Sequence, residues 1–188
     1  MKMLQVVGAL TALLACTPGH VLAQDEGKTE AAALASESQA ALKQLTATVP
    51  LAAQLEKTAV AVLVFPTITK AGLGIGGQYG EGALLKNGTA AGYYKTTGAS
   101  FGLQAGGQKY GYAMFFTSAK ALEQLDTANG FEVGVGPSVV VVDEGMGKST
   151  TTKTLKDDVY AFIFSQKGLM AGLGLQGNKI KKITPKSK

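Results

Sequence analysis

A chain of 188 residues that is 46% hydrophobic is long enough for one domain with a sizeable core. Its 18 basic residues are all lysines, set against 13 acids for a net charge of +5, with one cysteine, one histidine and no tryptophan. Cys16 and His20 both fall in the N-terminal leader. The rest of the chain therefore has no means of building a Cys/His zinc site or a triad with a histidine base, and without arginine or a stacking platform nucleic acid is a poor partner. Carboxylates, lysine, tyrosine, serine and threonine remain, so an enzyme is disfavoured, and neither cofactor nor metal is expected.

The leader itself is informative. Met1-Lys2, the apolar Leu4 to Ala15, the break at Pro18-Gly19 and the small-residue site Val21-Leu22-Ala23 read as a signal peptide over 1–23, too short to span a bilayer. The alternative is a lipoprotein signal over 1–15, in which Leu13-Leu14-Ala15-Cys16 is a lipobox and Cys16 is acylated. Either reading exports the protein from a bacterial cytoplasm, to the periplasm or the outer membrane. Residues 24–188 then form a single domain.

Lys28 to Thr48 reads as a helix, with Leu34, Ser38, Ala41, Leu42, Leu45 and Val49 on one stripe and Glu30 and Glu37 opposite. That stripe docks on a sheet more readily than on a membrane, since large apolar anchors and lysines are scarce. Pro50 starts a second helix, Leu51 to Thr58. Ala59 to Phe65, closed by Pro66, is a buried strand. Asn87-Gly88 joins Ala83–Lys86 to Thr89–Lys95 as a tight hairpin. Lys109 to Thr117 is a strand with Tyr110, Tyr112, Met114 and Phe116 on one face. Ser118 caps a short helix, Ala119 to Thr127, that ends at Asn129-Gly130. Phe131–Val135, Ser138–Val142, Val159–Ser165 and Asn178–Thr184 complete roughly nine antiparallel strands, with polar or threonine-rich segments at Asp143–Lys148 and Ser149–Lys156.

Three stretches share a glycine-rich texture: Ala71 to Gly77, Gly98 to Gly107 and Ala171 to Gly177. Alternating glycine strips one face of a strand of side chains, which lets another layer approach closely or lets the sheet bend. The expected fold is α+β: N-terminal helices, then a curved, mainly antiparallel glycine-rich sheet or partial barrel with one short inserted helix. Two nucleotide motifs fail on context. Gly72-x-Gly74-x-x-Gly77 leads into Gln78-Tyr79-Gly80-Glu81-Gly82, which is no helix, and Gly147-Lys148-Ser149 lacks the leading glycine of a phosphate loop. Glu81, flanked by glycines near Tyr79, is either a turn residue or a polar group at a cavity mouth.

Four ordered blocks resemble the SYLF domain family: Val49 to Gly82, Ser100 to Gln108, Gly134-Val135-Gly136-Pro137, and Tyr160 to Gly177. The resemblance covers about residues 35 to 183 and implies a lipid-binding module. Eukaryotic members bind phosphoinositides and some bind actin, whereas bacterial members are typically envelope proteins made of this domain alone. Tyr93-Tyr94-Lys95-Thr96-Thr97-Gly98 departs from the family pattern, which often has a tryptophan and a serine-proline turn there.

The expected function is non-enzymatic binding of anionic phospholipid at the bacterial envelope. Lysines supply point charges to lipid phosphates, and apolar side chains of the sheet receive acyl or glycerol groups. The candidate phosphate contacts are Lys70, Lys109, Lys179, Lys181 and Lys182. The alternative is a structural or interaction protein that pairs with a partner through edge strands. A carboxylate hydrolase built around Glu81 is a third reading.

Overall fold

The structure is a computed structural model that describes residues 21–127, 130–132, 139–142, 157–168 and 178–185. Helix α1 (Val21–Thr48) leads into α2 (Pro50–Thr58) through Val49, with Pro50 in the first turn of α2. Proline suits that place because its missing N–H lies where no intrahelical partner exists. Ser38, Leu42, Leu45 and Val49 are buried, so the expected stripe is the docking face. Glu30 departs from the expectation: it is half-buried. No helix among the described residues is long and apolar enough to cross a membrane.

Two long strands dominate the sheet. β1 (Ala61–Lys86) and β2 (Thr89–Phe116) pair antiparallel from Ala61↔Phe116 down to Lys86↔Thr89. They meet at Asn87-Gly88, whose φ values of 49° and 76° are those of the tight turn that Asn-Gly favours. Pro66 does not end a strand, as expected from sequence. β1 continues through it, and the register slips between Phe65 and Ile68, where a residue without an N–H fits an irregularity in the ladder.

The remaining elements attach to β2. The short helix α3 (Ala119–Glu123) is capped by Ser118, whose Oγ accepts from Ala121 N at 3.2 Å, and a 3₁₀ turn (Gln124–Asp126) follows it. Strands β3 (Phe131–Glu132), β4 (Val139–Val142), β5 (Val159–Gly168) and β6 (Lys179–Ile183) give the order β3-β6-β2-β5-β4, with β1 also on β2. The β4–β5 pair is parallel, so the sheet is mixed rather than wholly antiparallel. The described strands curl into a half-barrel with the short helix inserted, and β1 folds back so that Gly82 meets Val64. The third glycine stretch, the Asp143–Lys156 segment, the Gly134–Pro137 turn and residues 1–20 of the expected signal segment lie outside the described residues.

Glycine permits the curl. A side chain on Gly82 would strike the Val64 carbonyl and the Phe65 ring, and one on Gly72 would strike the backbone of Gly76. Both places require hydrogen where a Cβ would stand, because backbone crosses backbone. Ser38 of α1 fastens the same region: fully buried, its Oγ donates to Val64 O (3.3 Å) and accepts from Ala83 N (3.2 Å).

Strand alternation then yields two cores. One face of the sheet packs Leu63, Phe65, Tyr110, Tyr112, Met114 and Phe116 around Leu125 and Phe131. The other packs Val62, Val64, Ala113, Phe115 and Phe162 under Leu42, Leu45 and Leu55 of the helices. The Phe115 and Phe162 rings meet edge to face at 5.3 Å, an arrangement that aromatic quadrupoles favour.

Candidate functional site

The five lysines singled out from the sequence do not form one cluster. Lys70 is buried, opposite Gln108 in the ladder. Lys182 is exposed but engaged: its Nζ lies 2.9 Å from Asp126 Oδ2 and 5.8 Å from the centre of the Tyr94 ring. The Tyr94 hydroxyl also donates to Asp126, at 2.6 Å. Burial alone would raise the Asp126 pKa, but the Tyr94 hydroxyl and the Lys182 ammonium hold it below the ordinary carboxylate value. Lys182 is thus part of a structural ion pair beside a shallow hollow between the 3₁₀ turn and β6.

Lys179 and Lys181 alternate with buried Ile180 along β6 and so lie on its other face, Lys181 also bordering the hollow beside the 3₁₀ turn. There they join a patch the sequence did not reveal. Lys181 is paired with Lys95, and Lys95 with Glu81. One row along, Lys179 is paired with Thr97, and Thr97 with Tyr79. Tyr79 is 49% exposed, and Ile75, further along the same arm of β1, is 70% exposed. Large apolar side chains left in water beside cations mark an interaction surface more strongly than lysines alone.

Glu81 sits inside this patch, half-buried, and accepts a hydrogen bond from the Tyr79 hydroxyl. That bond, with burial and the nearby Glu81 and Glu30 charges, raises the Tyr79 pKa to about 12. Glu81 therefore orients Tyr79 and faces Lys95. The glycine motif at Gly72 to Gly77 runs on as strand, so no helix N-terminus is presented to a phosphate.

Lys109 stands elsewhere. It is exposed, opposite Lys167 in the β2–β5 ladder, at the mouth of an open groove of about 410 Å³ between α1 and the sheet. Lys167 lies beyond the Val159–Ser165 strand expected from the sequence, within the longer β5.

Among the described residues the inner face of the sheet is filled by its own core. Towards one end it carries a buried polar chain instead: the Tyr110 hydroxyl donates to Gln78 Oε1 at 2.8 Å, and Gln78 Nε2 donates to Asn178 Oδ1. Burial raises the pKa of Tyr110 to about 12 and that of Tyr112 further still. Among the described residues the most exposed large apolar side chains are those of Ile75 and Tyr79.

Residues 97–186, from the middle of β2 through β6, match the family described as Ysc84, Las17-binding protein actin regulator. This segment is a SYLF-family domain. No curated protein matches the chain. Lys109, Lys167, Lys179, Lys181 and Lys182 fall within the matched SYLF segment, whereas Lys70, Ile75 and Tyr79 precede it.

Proposed function

We propose that this protein is a non-enzymatic lipid-binding module of the bacterial envelope, exported to the periplasm or the outer membrane, that holds anionic phospholipid at its surface. The carrying observation is the shared face of Ile75, Tyr79, Lys95, Lys179 and Lys181. Tyrosine and isoleucine enter the headgroup boundary, and the lysines beside them lie over lipid phosphates. Lysine suits this task because a diffuse anionic surface needs point charge rather than the fixed fork of arginine. Membership of the SYLF family supports the reading.

Flotation with phosphatidylglycerol/phosphatidylcholine vesicles tests it. Each lysine near an anionic surface contributes about 1 kcal/mol, so Lys179→Gln with Lys181→Gln weakens partitioning about thirtyfold at low salt. Rising salt erodes binding of the parent protein. Ile75→Ser and Tyr79→Ser weaken binding with the salt dependence intact. Failure of the parent chain to float with anionic vesicles at low salt overturns the proposal.

A second reading, pairing with a protein partner, rests on β4. Among the described residues it is the last strand on its side of the order, and Val140 and Val141 are 37% and 38% exposed. Such an edge offers ladder groups to an incoming strand. The Las17-binding description of the family is compatible with it. A chain that ignores vesicles but loses self-association or partner binding on Val140→Lys favours this reading.

A further inference from the structure

We propose that the groove between α1 and the β2–β5 pair is a binding site for a phosphate group, with Lys109 and Lys167 as its paired cationic contacts. Like charges set directly opposite in a ladder destabilise a sheet. Here the register is actively adjusted to create such a pair. Gly111 is opposite Phe164, and an unbroken ladder would then put Lys109 opposite Gln166. Instead β5 carries one extra residue, so that Lys109 meets Lys167. Ser165 bears the consequence at φ 52°, a left-handed conformation unusual outside glycine. Bulges recur where a side chain must be re-aimed, and strained residues cluster at ligand sites.

The surroundings fit an anion. Among the described residues, no carboxylate lines the groove and neither lysine has an ion-pair partner. Gln44 and Thr67 reach it from α1 and β1. Its floor is apolar, formed by Pro66 and by the Phe164 ring lying against Gly111. A phosphate between the two ammonium groups converts their repulsion into two attractions, and the floor accommodates a glyceryl or acyl portion. A lipid headgroup and a free phosphate share this chemistry. The lipid source rests on the membrane reading above; the anion site does not.

The test is titration of the ¹⁵N-labelled protein at low ionic strength with inorganic phosphate and, separately, with dihexanoyl phosphatidic acid below its micellar concentration. Both probes are expected to shift the amides of Lys109, Ser165 and Lys167. Lys109→Gln and Lys167→Gln are each expected to weaken binding about tenfold, the loss of one charge-assisted contact. Phosphate raises the melting temperature of the parent protein and, at the same concentration, raises that of Lys167→Gln less. Relief of the lysine repulsion keeps that variant folded, and Lys167→Arg retains binding as a second check. A short-chain lipid that binds at least about tenfold tighter than phosphate makes the lipid headgroup the source; equal affinity assigns the site to free phosphate, and both support the anion site. Shifts confined to other surfaces, or unchanged affinity in both glutamine variants, overturn it. Vesicle binding lost in Lys179→Gln/Lys181→Gln with phosphate titration intact separates this site from the membrane patch. Absence of vesicle binding in the parent with intact phosphate titration sinks the membrane reading alone.

Discussion

Replacing Ser38 by alanine tests how the half-barrel is fastened to its helix. The hydroxyl is 0% exposed and bridges two arms of β1, donating to Val64 O at 3.3 Å and accepting from Ala83 N at 3.2 Å. Alanine removes the oxygen without adding bulk, so the backbone N–H of Ala83 loses this acceptor in a place water does not reach. An unsatisfied buried donor costs about 1–3 kcal/mol. Both bonds are long for their kind, which puts the expected loss at about 1–2 kcal/mol. For a domain of this size that corresponds to a fall in melting temperature of about 2–8 °C. Urea unfolding followed by circular dichroism measures it, with the midpoint moving and the slope unchanged. Thr46→Ala, which removes an exposed hydroxyl bonded to Lys43 O within one helix turn, is the control and should shift stability by less than about 0.5 kcal/mol. If Ser38→Ala is no more costly than Thr46→Ala, the hydroxyl does not fasten the seam.

Three further outcomes follow from the same structure. Gly82→Ala drives a methyl group into the Val64 carbonyl and the Phe65 ring and is expected to cost about 3 kcal/mol or more, or to prevent folding; Gly77→Ala, whose nearest neighbour would be Gly98 O at 3.9 Å, should be near neutral by the same denaturation assay. Tyr110 is held neutral by burial, its pKa raised from 10.0 to about 12, so the stability it contributes is complete below pH 10 and is lost as pH rises through 12. Absorbance at 295 nm should therefore show a delayed tyrosine ionisation that coincides with unfolding, and ionisation of every tyrosine near pH 10 with the fold retained would contradict this. Asp126 has the opposite sign. Its lowered pKa gives stability that is present above the ordinary carboxylate value and is lost as pH falls through the folded one, so Asp126→Asn should lower the melting temperature at neutral pH and converge with the parent in acid.

The local elements were legible because each rests on short-range chemistry. Pro50 starts α2, Asn87-Gly88 turns the hairpin, Ser118 caps α3, and the Tyr110-Tyr112-Met114-Phe116 face packs as one. The curved glycine-rich sheet was also readable, since alternating glycine strips a strand face whatever its partners. The site was less so. Lys109, Lys179 and Lys181 were marked as cations, but composition does not tell a free lysine from one set against Asp126, as Lys182 is, or buried, as Lys70 is. Lys95, Tyr79 and Ile75 were not marked as contacts, because their shared face depends on the register of β1, β2 and β6, strands far apart in the chain.

By itself, the sequence determined a helix pair, a bent glycine-lined sheet and, beyond residue 20, a set of reactive side chains made of lysines, carboxylates and hydroxyls. These follow from backbone sterics and from which side chains exist. Only the tertiary structure decided that β4 lies parallel to β5, that Pro66 is absorbed within a strand, and that one extra residue in β5 sets Lys167 against Lys109. Register is a long-range property: a slip of one residue turns every side chain to the other face, and what fixes it is the packing of both cores.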